Sequence, residues 1–393
     1  LLLLAQVAYN CIKVFCLFIM FLGSLSSNTV ALFALLSPQT HTTCTSGGKD
    51  SYLSSSTVLF QSASTLIDQP VEKSKYDGLL DWLQSNNAII NDKIELRKSE
   101  GCGFGAFVTS TVEENELLFT IPRQLCLTLA DATSDPNCGE AFGKLIEKAG
   151  PGGNTVVMAG YMAKEYLILQ EELKKAQVPT GKWSAYFQTL PWQRGINNQE
   201  HVLFWSNEMV ESLLKGSLCY GEATALREEV DLAIRVMGAI TGKSIRVARG
   251  EEIEKGFSWP WETKNNNNNN AQGIPEGLPE AIKGAFVCLL TRAFQDGDGD
   301  EEKLVPLLDM LQHSETPNVR HAMRKDDGTV EVRAREKIEA GTELLNQYRS
   351  EEEENMPYSR FFTRFGFVPG ILEPMENLLL DKSSIFYPQK AEV

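Results

Sequence analysis

An α+β fold, with short β units on either side of a mainly α-helical middle, is what the sequence predicts. Two changes of period carry this expectation. Ile94 and Leu96 alternate with charged neighbours, as do Val330, Val332 and Ala334 far downstream, which is the alternation of half-buried strands. Between them Met158, Met162, Tyr166 and Leu169 recur at helical spacing along one face. Size is the third observation: 393 residues, 42% hydrophobic and 23% charged, can bury a core of one large domain or two modest ones.

The N-terminal stretch differs from all of this. Residues 1–36 carry only Lys13 as a charge, with an apolar run from Val14 to Leu25 followed by the small residues Ser26 and Ala31. Secretory leaders have that arrangement, with an apolar core of about 7–15 residues, whereas a spanning helix needs about 20. A targeting segment is the expectation, and a retained membrane anchor is the alternative. Residues 37–74 are rich in Ser and Thr and have only Asp50 and Asp68 as acids before Glu72, as transit peptides and linkers do. The two segments together point to a plastid reached through a secretory-type leader, with a membrane-anchored or cytoplasmic location as alternatives.

The folded part is expected over 75–370 in three pieces. A first β part, 75–130, opens with a short helix carrying Leu79, Leu80, Trp82 and Leu83, then strands at Ile94, at Ala106 to Val108 and at Leu117 to Ile121, the last stopped by Pro122. A helical insert, 131–283, includes the run Asn265 to Asn270, whose composition reads as a loop because it cannot build a core. A second β part, 284–370, has a helix at Ile282 to Phe294 on its edge and strands at Leu304 to Leu308, Val330 to Ala334 and Leu344 to Tyr348. Residues 371–393 form a tail.

Charge and cysteine usage exclude several functions. The 52 acidic residues against 37 basic give a formal net charge of −15, and no Lys/Arg-rich stripe offsets that field, so nucleic acid is not an expected partner. Eight cysteines are scattered without a C-x-x-C pair and only four histidines are present, which predicts no structural metal. The stretch Asp296-Gly-Asp298-Gly-Asp300 suggests a calcium loop, but Glu301 stands where such a loop needs Gly and Leu307 where it needs its last carboxylate. It reads as a solvated loop. Gly101, Gly103 and Ala106 fit a dinucleotide-binding turn, yet Val108, Thr109, Thr111 and Val112 favour strand where that turn requires a helix. What survives is that glycines there let the backbone approach a ligand closely.

The same glycines, in Ser99-Glu100-Gly101-Cys102-Gly103-Phe104-Gly105-Ala106, resemble the opening motif of SET domains. Pro306-Leu307-Leu308-Asp309-Met310-Leu311-Gln312-His313-Ser314 resembles that family's Pro-x-x-Asp-Met-x-Asn-His element, Asn346-Gln347-Tyr348 its tyrosine strand, and Phe365-Gly366-Phe367-Val368 its aromatic ending. Tyr186-Phe187-Gln188-Thr189-Leu190-Pro191 and Phe204-Trp205-Ser206 resemble the insert of the plant Rubisco-methyltransferase type. The resemblance implies small β-sheets around a pseudoknot and an S-adenosylmethionine-dependent protein-lysine N-methyltransferase, acting on a non-histone protein that presents a lysine, as a monomer. Members also carry a docking domain after the SET ending; the 23 residues of the tail are too few for one, so the expectation is either a truncated sequence or recognition through the insert. Protein-histidine methylation, or a catalytically silent SET fold serving as an interaction module, are the alternatives.

Carried over residue by residue, the resemblance places Glu100 and Cys102 against the cofactor, Arg292 near its carboxylate, Gln312 and His313 beside its amino end and adenine, and Phe367 packed on it. Thr291 and Asp309 are expected to line the lysine channel, and Tyr348 to be the catalytic tyrosine. The sequence departs from the pattern at Gln312, where Asn is usual, at Arg349, where Gly or Asp is usual, and at Phe365, where Tyr is usual. Read singly, each residue also has a structural reading: Tyr348 as a strand aromatic, His313 and the Phe365 and Phe367 pair as core, and Arg292 as a helix surface residue.

Overall fold

The computed structural model describes residues 69–99, 103–150, 152–192, 201–251, 273–296, 299–348 and 357–366. Helix α1 (Gln69–Ser85) is closed by Asn86, whose side-chain amide donates to the Trp82 carbonyl, and by Asn87 in the left-handed region that ends helices. Strands β1 (Ile89–Ile90), β2 (Ile94–Lys98), β3 (Phe104–Val108) and β4 (Leu117–Ile121) follow. The insert holds α2 (Leu129–Thr133), α3 (Gly139–Ala149), α4 (Gly152–Lys174), α5 (Ser184–Phe187), α6 (Asn207–Met209) and α7 (Leu218–Arg249). Helix α8 (Leu278–Arg292) leads back to β5 (Ala293–Asp296), β6 (Gly299–Leu304), β7 (Gln312–His313), β8 (Val319–Met323), β9 (Val330–Ala334) and β10 (Leu345–Asn346), and α9 (Tyr358–Phe365) follows. Among the described residues no helix is long and apolar enough to cross a membrane.

Strands from both ends of the chain share one antiparallel sheet, ordered β1-β4-β9-β8, in which Phe119 faces Val332 and Ile121 faces Val330. β2 and β3 form a hairpin, β5 and β6 another, and β7 pairs with β10 in parallel, Asn346 opposite His313. A parallel pair cannot be joined by a tight turn. Here the connection is the whole excursion 314–344, which carries β8 and β9 into the larger sheet. The expected α+β character stands, and one continuous core runs through it, from Leu83 and Phe119 through Phe142, Val157 and Tyr186 to Phe286, Leu308 and Val332.

Several boundaries differ from expectation, each for a local reason. Helix α8 starts four residues before Ile282, because Gly277 takes a left-handed φ of 76° and Pro279 occupies the first turn, where its missing N–H is harmless. The helix therefore runs through position 283, and the edge assigned to the insert there falls inside an element. Phe294 lies beyond it, in a strand, and of the aspartate-rich stretch Asp296 ends β5 and Asp300 lies in β6, with positions 297 and 298 outside the described residues. The strand expected over Leu304 to Leu308 ends at Leu304. Pro306 and then Leu307, at φ 71°, turn the chain into a single 3₁₀ turn, Leu308–Met310. A fully buried leucine in that region stores strain, on the order of 1–3 kcal/mol.

Glycine is needed where α8 meets the insert. A Cβ on Gly284 would collide with the backbone carbonyl of Trp192, which cannot rotate away as a side chain could. Gly284→Ala is expected to lose roughly 1–3 kcal/mol of stability through forced displacement of the helix, measurable as a lower urea midpoint. An unchanged midpoint would show that the contact relaxes freely.

Candidate active site

The C-terminal turn of α8 carries Thr291 and presents Arg292 to the 3₁₀ turn that holds Asp309. Thr291 is buried and its hydroxyl donates back to the Val287 carbonyl at 2.6 Å, as mid-helix threonines do when no other acceptor is in reach. Arg292 Nη1 donates to the Asp309 carbonyl at 2.8 Å and lies 3.3 Å from Asp309 Oδ2. The same Oδ2 accepts a 2.7 Å hydrogen bond from the phenol of Tyr186, on α5 of the insert. The Asp309 side chain has no solvent exposure. Burial pushes its carboxyl up from the usual range, while Arg292 and the Tyr186 phenol pull it back. Burial opposes charge on Arg292, but Asp309 together with the neighbouring Cys288, Tyr348 and Tyr186 more than offsets that, and the guanidinium stays protonated. Neighbouring Cys288 is pushed up to about 12 by burial, so it stands as a neutral thiol rather than a nucleophile.

The β7–β10 pair builds the second group. The Tyr348 backbone N–H donates to His313 Nδ1 at 3.1 Å, which fixes the imidazole as the tautomer with hydrogen on Nε2, 3.4 Å from Glu315 Oε1. The Tyr348 hydroxyl donates to the Leu311 carbonyl at 2.9 Å. Around these two side chains stand aromatic rings: Phe361 is 5.4 Å from His313 and Phe365 5.6 Å from Tyr348, centroid to centroid. Gln312 Nε2 approaches the Phe104 carbonyl at 3.4 Å, tying β7 to the glycine-rich hairpin. The five residues from Asp309 to His313 thus hold partners for Arg292 and Tyr186 on one side and for Tyr348 on the other.

Of the residues expected at the site, Arg292 and Asp309 come together with Tyr186, Thr291 adjoins Arg292 on α8 with its hydroxyl turned back to Val287, and Gln312, His313 and Tyr348 gather at β7. Glu100, Cys102, Phe367 and Arg349 lie outside the described residues. Two contributors were not expected from sequence. Tyr186 sits in a motif whose resemblance marks the insert and assigns it no role at the site. Glu343 follows an ordinary turn, and no spacing marks it. Its carboxylate accepts from the Ser99 hydroxyl at 2.9 Å, leaving Oε1 buried without a partner and packed where a Cβ on Gly105 would be. Burial raises the carboxyl above its ordinary value. Glycine at 105 therefore makes room for this acid beside the hairpin.

The aromatic wall is held from behind by His201. Its Nδ1 accepts from the Leu203 N–H at 3.2 Å, so Nε2 is the donor to the Arg364 carbonyl at the end of α9. The ring is fully buried, and burial drives its pKa from 6.5 to about 4. Because the unfolded chain binds this proton more readily, the stabilising effect of the neutral ring is complete above about pH 6.5 and is lost as pH falls towards 4. The loss reaches about 2 kcal/mol by about pH 5. Urea unfolding at neutral and at mildly acid pH is expected to show this slope, reduced by that amount in His201→Gln. Equal slopes would place the titration elsewhere.

An antiparallel sheet sharing strands from both parts of the chain, a parallel pair closing a long excursion, and a tyrosine and histidine against that pair define a SET-type fold. The SET domain model matches residues 103–349, and the chain belongs to the SET domain family. Among curated proteins it is similar to the N-lysine methyltransferase SETD6 of Rattus norvegicus, 27% identical over 147 residues, covering 37% of this chain and 27% of that protein. Among solved structures it is similar to Rubisco LSMT bound to AdoMet, with a TM-score of 0.53. The SET domain of LSMT bound to lysine and AdoHcy gives 0.51. Both are 15% identical and cover 75% of this chain and 57% of theirs. The chain thus spans less than two thirds of the length of these relatives, and the structural likeness establishes the fold.

Proposed function

We propose that the chain is an S-adenosylmethionine-dependent protein-lysine N-methyltransferase whose substrate is a non-histone protein. The observation that carries this reading is the convergence of Tyr348, His313, Arg292 and Asp309 on the single stretch Asp309 to His313, within a SET domain. The relatives that support it are an N-lysine methyltransferase and structures holding AdoMet, or lysine with AdoHcy.

The polar atoms left without partners suit such a cofactor. Among the described residues Arg292 Nε is buried and unpaired, as is Glu343 Oε1. A guanidinium nitrogen suits a carboxylate and a carboxylate oxygen suits an ammonium, and the amino-acid end of S-adenosylmethionine carries both. When bound, the cofactor supplies the methyl group on a positively charged sulfur. The protein's own contribution starts with the amine. A lysine ammonium has no lone pair, and removing its proton near neutral pH costs on the order of 4 kcal/mol. The aromatic surroundings of Tyr348, Phe361 and Phe365 lower that cost by disfavouring the charged form. Tyr348, anchored to Leu311, then orients the neutral amine, so no dedicated general base is required.

Calorimetry with S-adenosylmethionine on the purified chain, followed by mass spectrometry of candidate proteins incubated with labelled cofactor, tests the reading. Binding and a mass gain of one or more methyl groups on lysine are expected; absence of cofactor binding would sink it. For residues 1–74 we infer a leader that directs the protein to a plastid. A fluorescent fusion of residues 1–74 should enter the secretory system or plastids, and diffuse cytosolic signal would remove that idea.

A further inference from the structure

We infer that Tyr186, contributed by the insert, is a positioning residue for methyl transfer: it fixes Asp309 so that Oδ1 remains as the free acceptor for an N–H of the substrate amine. This rests on the methyltransferase reading. The inference starts from an asymmetry in one carboxylate. Oδ2 has two donors, the Tyr186 phenol at 2.7 Å and Arg292 Nη1 at 3.3 Å, while Oδ1 is equally buried and has none among the described residues. A buried carboxylate oxygen without a donor is costly to the folded state and calls for a ligand that supplies one.

The asymmetry is held in place from both sides. Asp309 is fixed through its backbone, its N–H donating to the Val305 carbonyl at 3.1 Å and its carbonyl accepting from Arg292 at 2.8 Å. Tyr186 has no exposure, and its ring packs 6.1 Å from Phe187, centroid to centroid. Its own carbonyl accepts from the Thr189 hydroxyl at 2.7 Å. Burial and Asp309 raise the phenol far above its ordinary range, so it remains a neutral donor throughout the pH range of interest. The other titratable groups around Asp309 are Arg292 and Cys288 on α8, the first always charged and the second a neutral thiol. Tyr186 is therefore the partner whose removal changes the carboxylate without removing a charge.

Tyr186→Phe keeps the ring and deletes the donor. The carboxylate then gains rotational freedom and loses one of the bonds that favour its ionised form, so more of it is protonated at a given pH. The acid limb of the pH–rate profile is expected to move up by about one unit, and KM for a lysine peptide to rise about tenfold. The dissociation constant for S-adenosylmethionine, measured by calorimetry, should stay within about twofold, because Tyr186 touches none of the cofactor-side groups. In an Asp309→Asn background the same substitution should add no shift of the limb. An unchanged limb and KM in Tyr186→Phe would overturn the inference, as would loss of rate and cofactor affinity together with no shift. Should Tyr186→Phe fail to fold, Asp309→Asn alone must abolish the acid limb, and a retained limb overturns the inference equally. Wild-type protein that binds no cofactor and transfers no methyl would instead remove the methyltransferase reading itself.

Discussion

Tyr348→Phe is expected to lower methyl transfer on the order of a hundredfold while leaving the protein folded. The hydroxyl makes one hydrogen bond, to the Leu311 carbonyl, and losing a bond of that kind costs about 1 kcal/mol. The ring keeps its contacts with His313 and Phe365, and the backbone N–H still holds the imidazole. What changes is the anchor that sets the height of the ring over β7, and misplacing reacting atoms by about 1 Å is worth roughly two orders of magnitude in rate. Cofactor affinity should survive, since Arg292 and Glu343 are untouched. Single-turnover methylation of a peptide substrate is the measurement. A variant working at the wild-type rate would make Tyr348 an ordinary strand aromatic and put the reaction elsewhere.

The largest effect on stability should come from Arg292→Leu. The substitution leaves Asp309 buried with the Tyr186 phenol as its one remaining side-chain donor, and stranding a buried charge this way costs about 3–5 kcal/mol. The pH dependence has a definite sign. With its folded pKa raised above the unfolded value, Asp309 binds its proton more tightly in the native state, so the variant is most stable at low pH and weakens as pH rises through the folded pKa. That is opposite to the His201 effect, which makes the two separable in one series of denaturation curves. Arg292→Leu with Asp309→Leu should recover much of the loss, because two apolar groups replace an ion pair without leaving a charge behind. If Arg292→Leu instead loses less than about 1 kcal/mol, the carboxylate is reaching water and the ion pair is not holding the turn.

Much of this architecture is legible in the chain. Alternation at Ile94 and Leu96 and at Val330 to Ala334 marks strands that the structure pairs, and the helical spacing of Met158, Met162, Tyr166 and Leu169 marks α4. The motif at Asp309 to His313 and the tyrosine at 348 fall into one site because they flank the parallel pair β7–β10. What periodicity does not encode is the meeting of distant side chains. Tyr186 and Asp309 are 123 positions apart, and Ser99 and Glu343 are 244 apart. Neither pair has a spacing to reveal it, since a phenol reaching a carboxylate depends on where two turns are carried by packing. The short elements failed for another reason: at Leu307 the backbone takes a φ that leucine rarely adopts, and tertiary packing overrides local preference there.

Helix α8 has a consequence for how the protein can be divided. Its middle is wedged on the insert, Gly284 against the Trp192 carbonyl, and its last residue, Arg292, reaches Asp309. The eight helical steps from Gly284 to Arg292 form one rigid rod of about 12 Å. A tilt imposed where the rod is wedged must reappear at its tip, so a substrate protein leaning on the insert would be felt by the carboxylate without touching it. The insert is thus the handle of a lever rather than a separable module, and a version with the insert trimmed away would lose Tyr186 and the fulcrum together.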